Sequence, residues 1–260
     1  RPDNAKIYVV GDTTLKEITE ELNNYFGDWL LPSRSKGIKT LTDASYLDKS
    51  HIILVDRPEA AQSIILAAHL VTPSTDKNAF NVDAMNDILG GNFTSRINMN
   101  LREDKGWSYG AGSSIGQAIR QRSFRVSTSV QTDKTALAMN EIVKEILDYQ
   151  SNRPPSSEEL NLMIKGNTLP LPGRFSTNRS LMSYIMSNEN FGRPYNYAQT
   201  LYNKYAALNP KLLQQTAQRY LRPDAMIWVI VGDLAKIEKN IRGLELGDIE
   251  IWDESGNKIR

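Results

Sequence analysis

Two side chains in this sequence have the chemistry to hold a peptide carbonyl from two directions: the Arg102 guanidinium and, seven residues on, the Tyr109 phenol. A guanidinium donates from a planar fork of N–H groups, and a phenol donates one proton. Upstream stand Gly90 and Gly91, where a backbone without Cβ turns tightly or lets an extended chain come close. Each has a plainer reading. Arg102 could simply complement the C-terminal end of a helix, Tyr109 could be a half-buried aromatic, and Gly90-Gly91 could be a helix C-cap. The residue types alone leave these alternatives open.

The stretch LGGNFTSRINMNLREDKGWSY, Leu89 to Tyr109, contains the signals that would position these groups. Thr94 and Ser95 suit a helix cap, and Ile97 and Leu101 repeat at i, i+4 as a one-sided helix requires. Gly106 is a natural stop. An aromatic and small-residue strand follows from Trp107, which packs rather than binds. Arg102 therefore falls near a helix end and Tyr109 just inside a strand, two rigid elements that hold side chains better than loops do.

On these residues the chain resembles the second half of the insulinase, pitrilysin and mitochondrial processing peptidase family of zinc metallopeptidases, whose pattern is roughly LGG..SRL...LR...GL.Y. Leu89-Gly90-Gly91, Ser95-Arg96-Ile97, Leu101-Arg102, Gly106 and Tyr109 fit it, and Trp107 stands where Leu is usual. The resemblance extends more loosely over nearly the whole chain. It implies that Arg102 and Tyr109 bind the substrate backbone, with Tyr109 donating to the scissile carbonyl and Gly90 and Gly91 beside it. It also implies a zinc site carried by the other half, upstream in the same polypeptide or on a separate subunit, and is compatible with a bacterial periplasmic setting.

Composition excludes several other functions. Lys+Arg 31 against Asp+Glu 30 leaves a formal net charge of +1, which implies no nucleic-acid partner. Zero cysteines exclude disulfides, thiolate metal sites and thiol catalysis. No apolar run approaches the roughly 20 residues of a membrane-spanning helix. A catalytic zinc site needs about three protein ligands and an open position. The only histidines, His51 and His69, lie in apolar strands without a glutamate in ligand spacing, and neither HxxEH nor a GxSxG elbow is present. No metal or cofactor is therefore expected in this chain, and alone it is not expected to hydrolyse peptides. The zinc belongs, by the resemblance, to the catalytic half.

A repeat organises the rest. Arg1-Pro-Asp-Asn-Ala-Lys-Ile-Tyr-Val-Val-Gly-Asp12 recurs without gaps as Arg222-Pro-Asp-Ala-Met-Ile-Trp-Val-Ile-Val-Gly-Asp233, and Gly27-Asp28 is echoed by Gly247-Asp248. Each copy reads as a buried strand, a Gly-Asp turn and a helix, so one domain-ending unit occurs twice. The expected division is residues 1–31 as the last strand and helix of a preceding homologous domain, 32–37 as linker, 38–248 as the domain proper, and 249–260 as a tail with a small hairpin around 255–257. Arg1 is not a natural start, and a processed or excised fragment is expected.

Strands are expected at 7–10, 51–55, 63–71 and 120–130, with the repeated strand closing the sheet. Helices are expected near 78–89 and 133–149, from a Ser cap within Arg153-Pro-Pro-Ser-Ser-Glu-Glu159, and at 177–188, 195–207 and 210–220, with the prolines of 169–175 as an interruption. These elements imply an α+β fold, a two-layer sandwich with a mostly antiparallel or mixed sheet covered by helices on one face. The reading that follows is the substrate-binding, non-catalytic half of an insulinase-like zinc metallopeptidase that encloses peptides against a zinc-bearing half. The alternative is a proteolytically inactive scaffold subunit of a larger assembly.

Overall fold

The computed structural model describes all 260 residues. Its strands are β1 (Ser50–Asp56), β2 (Gln62–Val71), β3 (Ser108–Ile115), β4 (Arg122–Gln131), β5 (Ile227–Gly232) and β6 (Gly247–Trp252). The helices are α1 (Leu15–Phe26), α2 (Ala79–Asn86), α3 (Arg96–Asn98), α4 (Thr135–Gln150), α5 (Ser157–Thr168), α6 (Asn178–Asn190), α7 (Tyr197–Ala206), α8 (Pro210–Tyr220) and α9 (Leu234–Arg242). Two units form: Arg1–Thr42 with Asn167–Tyr202, and Asp43–Gly166 with Asn203–Arg260.

The larger unit is built on one open mixed sheet in the order β3-β4-β2-β5-β1-β6. Period-two patterning sorts its faces. Ile52, Leu54, Ile65, Ala67, Phe124, Val126, Trp228 and Ile230 are fully buried on the helix side. Ile64 on the opposite face is 52% exposed. Burying a large aliphatic or aromatic side chain contributes roughly 1.5–3 kcal/mol, so this alternation fixes the strand register. Against the covered face lie α2, α4, α8 and α9, and α4 contributes Met139, Ile142, Ile146 and Tyr149 from one side. Gln150 ties α4 to the end of α8 by donating to the carbonyls of Ala217 and Leu221.

Helix starts follow their caps. Thr14 and Glu17 form a capping box at α1, Ser156 and Glu159 exchange the same pair of bonds at α5, and Asn209 accepts from Leu212 N–H at α8.

Three expectations need correction. The repeated strand does not close the sheet: β5 lies inside it, parallel to β1 and antiparallel to β2. Residues from 249 are not a free tail, because β6 runs through them and pairs in parallel with β1, reached from β5 by way of α9. An apolar Ile249-Glu-Ile251 alternation beside Gly247, which packs on Ser50, suits an edge strand. The expected turn follows β6, with Gly256 at φ 86° and a bridge between Trp252 and Lys258.

The third concerns the first repeat copy. Ile7–Val10 forms no strand, and Ile7 and Val9 stay 53% and 46% exposed. A strand exists by its ladder, and the smaller unit contains no other strand to pair with. Its helix α1 does form, while residues 32–37 carry no helix or strand.

Candidate functional site

After α2 the helix widens into a π-helical turn, Asp87–Gly91, which ends at an extended Asn92. Asn92 organises the connection: its Oδ1 accepts from the Thr94 N–H and hydroxyl at 2.9 Å each, and its Nδ2 donates to the Asp87 carbonyl at 2.7 Å. Ser95 occupies the N-cap position by backbone, but its hydroxyl makes no cap bond and is buried without a partner. The capping role expected of Thr94 and Ser95 is therefore replaced by a turn built on Asn92.

The helical run from Arg96 continues past α3 as a second π-helical segment, Met99–Asp104, carrying Arg102 in its last turn. Ile97 and Leu101 are buried, and Gly106 at φ 65° ends the run. Segments of this wider helix are frequent at functional sites because they redirect side chains out of the regular helical rows.

Tyr109 emerges from an irregularity in β3. Ser108 pairs with Val130 and Ala111 with Thr128, and the register shifts between the two pairs, so Tyr109 and Gly110 bulge out of the ladder. The bulge is fastened from within: the Ser108 and Thr128 hydroxyls both donate to the Gly110 carbonyl. Bulges re-aim a side chain, and here the Tyr109 ring is 91% exposed.

These pieces meet in an open groove of about 320 Å³ lined by Gly90, Gly91, Phe93, Asn98, Arg102, Gly110 and Ala111, among others. Arg102 lies over the Phe93 ring, 4.5 Å from guanidinium carbon to ring centroid, and its Nε is 3.3 Å from Glu103 Oε1. Both members of that ion pair are exposed, so it contributes little. Asn98 joins the walls of the groove: its Oδ1 accepts from Ala111 N–H at 3.1 Å and its Nδ2 donates to the Phe93 carbonyl at 2.7 Å.

The two glycines differ. A Cβ on Gly90 would lie 2.5 Å from Ser113 N and 2.2 Å from its Oγ, so Gly90 lets the π-helical turn pack directly on β3. Gly91 is exposed and would meet Asp87 and Asn86 instead. The groove thus brings together Gly90, Gly91 and Arg102 with Gly110, the neighbour of Tyr109.

Two further residues shape the site: Asn98, which the sequence did not single out, and Arg96, which fits the family pattern but was given no role there. Asn98 is buried, yet it lies off the Ile97–Leu101 stripe, where a polar residue is ordinary, so the sequence carried no signal for it. Arg96, whose side chain is 5% exposed, donates to both Glu159 oxygens at 2.6 Å and to the carbonyls of Arg153 and Pro154, and stacks over Tyr149. Burial alone would raise the Glu159 pKa, but hydrogen bonds from Arg96 and from Ser156 N–H carry it below its ordinary value. Arg96 therefore clamps the helix that bears Arg102 to the start of α5.

A larger cavity, about 710 Å³, is lined by Arg96, Asn100, Glu141, Glu145, Arg153 and Glu159 among others. Its charges are largely spent on one another, through Arg96–Glu159, Arg153–Glu145 and the Asn100 amide donating to Glu141 and Glu145. It braces the helix rather than offering open chemistry.

Neither histidine meets a metal-ligand set. His69 is buried against Phe124, with Nε2 accepting from Arg222 N–H and Nδ1 beside the Leu70 carbonyl, and burial lowers its pKa. His51 Nε2 lies 3.5 Å from Glu250 Oε2. No three metal-ligating side chains converge anywhere in the chain. The residues present do not fit a zinc centre.

The chain matches known proteins at the level of family and fold. A family model described as "Peptidase M16 inactive domain" matches residues 1–167. No curated protein sequence matches. Among solved structures, a protease from Helicobacter pylori is 16% identical with a TM-score of 0.75, over 85% of this chain and 54% of that one. A peptidase M16 inactive domain from Pseudomonas fluorescens is 18% identical with a TM-score of 0.68, over 76% of this chain and 47% of that one. The periplasmic protease PqqL from Escherichia coli is 14% identical with a TM-score of 0.67, over 86% of this chain and 25% of that one. The chain thus spans about half the length, or less, of these structures.

Proposed function

The chain belongs to the peptidase M16 inactive-domain family, and from that premise we propose that it is the substrate-binding, non-catalytic half of a zinc metallopeptidase. Its partner is a zinc-bearing half, upstream in the same protein or on another subunit, and the two enclose a peptide. Residues 1–31 belong, in this reading, to a preceding copy of the domain: the repeat aligns Ile7–Val10 with the interior strand β5, so that segment would take up ladder partners in the preceding sheet.

The observation that carries the reading is the bulge at Tyr109 beside the groove that holds Arg102. A phenol held 91% exposed on a fastened bulge is poised to donate outward, and the groove floor of Gly91 and Gly110 leaves room for an extended backbone. Arg102 grips a substrate carbonyl in ground and transition states alike. Tyr109 donates to the scissile carbonyl oxygen as it gains negative charge, a preorganised donor of the kind worth a few kcal/mol in the transition state.

The test is to pair this chain with its zinc-bearing half and compare peptide hydrolysis with and without it. Turnover that requires this chain, and falls when Arg102 or Tyr109 is changed, supports the reading. An assembly with no hydrolysis and no HxxEH-bearing partner would instead favour the scaffold role.

A further inference from the structure

The smaller unit contains a cavity of about 500 Å³ beside the Pro172–Phe175 turn and the helices α6 and α7. Three arginines line it, Arg174, Arg179 and Arg193, together with Ser183 and the rings of Tyr184 and Tyr197; no aspartate or glutamate does. The Arg193 guanidinium carbon sits 5.1 Å from the Phe191 ring centroid and 4.9 Å from that of Tyr197, which sets the plane of its fork. The Tyr184 hydroxyl donates to the Tyr195 carbonyl and accepts from Ala198 N–H, fixing the α6–α7 connection that carries Arg193. The cavity is therefore braced, and the charged side chains among its lining residues are all arginines.

We propose that this cavity binds a carboxylate-bearing segment of a polypeptide, an acidic peptide. Guanidinium forks match carboxylates in two-point geometry, and three of them around one space attract anions that a single charge would not hold. The volume is of the size that accommodates several side chains rather than one small ion, and the tyrosine rings offer apolar surface to the methylene stems of glutamates. The site involves neither Arg102 nor Tyr109 and stands or falls apart from the function proposed above.

The experiment titrates dye-labelled hexaglutamate into the 260-residue chain and follows anisotropy at low and high salt. Hexalysine and inorganic phosphate serve as alternative probes. The parent should bind hexaglutamate, more weakly at high salt, and should not bind hexalysine. The Arg174→Gln/Arg179→Gln double variant should weaken binding by about tenfold or more, as expected when charge-assisted bonds are lost. Ser183→Glu, which puts a carboxylate into the cavity, should weaken it as well. All three altered cavity residues are exposed, so melting curves should match the parent. Absence of hexaglutamate binding, equal binding by parent and both cavity variants, or binding of phosphate but not hexaglutamate would each overturn the proposal.

Discussion

The guanidinium carbon of Arg102 stands 4.5 Å from the centre of the Phe93 ring, so the groove's cation rests on an aromatic shelf supplied from the opposite end of the same loop and helix. Phe93 is itself 60% exposed. An exposed cation–π contact is worth roughly 0.5–1 kcal/mol. Phe93→Ala should therefore raise KM of the paired enzyme about two- to fivefold and leave both kcat and the melting temperature near parental. Steady-state kinetics with a melting curve check it; a fall in kcat instead would mean the ring touches the reacting peptide.

Arg102→Ala should act mainly on KM, because a grip equal in ground and transition states is lost from binding and not from the chemical step. Lysine at 102 should restore only part of it, lacking the planar fork. Full rescue by Arg102→Lys would reduce the role of Arg102 to a point charge.

Asn98→Ala should lower stability by roughly 1–3 kcal/mol, since it leaves the Ala111 N–H and the Phe93 carbonyl without their partner. Chemical denaturation measures this directly. An unchanged unfolding midpoint would show that the groove walls are held together elsewhere.

The glycines around the groove should separate by role. Gly90→Ala forces a Cβ against the Ser113 backbone and should cost about 1–3 kcal/mol as an overpacked contact. A Cβ at Gly110 meets nothing within 4 Å, so Gly110→Ala should fold as the parent does and raise KM by narrowing the groove. Equal stability of the two variants would refute the close helix–strand approach.

Much of this arrangement was legible beforehand, for identifiable reasons. The Ile97–Leu101 spacing and Gly106 placed Arg102 at a helix end, and the aromatic and small-residue run from Trp107 placed Tyr109 in a strand. The bulge at Tyr109 and Gly110 was not legible, because it depends on hydroxyl bonds from Ser108 and Thr128, residues twenty positions apart. The helix widening at Asp87–Gly91 and Met99–Asp104 likewise leaves no periodic trace. Residues 7–10 show the limit of local pattern: their sequence has the same valine-rich run that makes β5, yet a strand requires neighbours that their own unit does not provide. The interior place of β5 and the pairing of β6 were equally a matter of long-range partners.

Acid should unfold the chain partly through Glu250. Hydrogen bonds from Lys258 and then Trp252 hold its carboxyl down at about 2, against an ordinary 4.5. The unfolded chain takes up this proton near pH 4.5 and the folded chain only near pH 2, so the contribution is whole above 4.5 and is lost as pH falls between the two. Glu250→Gln should lower the melting temperature at neutral pH and flatten its decline across that window. A variant whose acid limb parallels the parent's would contradict this.

The central claim is that Tyr109 donates to the oxygen of the scissile carbonyl, and it is tested most directly by kcat of Tyr109→Phe in the paired enzyme. The substitution removes one hydroxyl from an exposed ring, so the melting temperature should hold. The account predicts a kcat lower by about 10²-fold, the order seen when one oxyanion donor is lost. A folded Tyr109→Phe enzyme with parental kcat would contradict it.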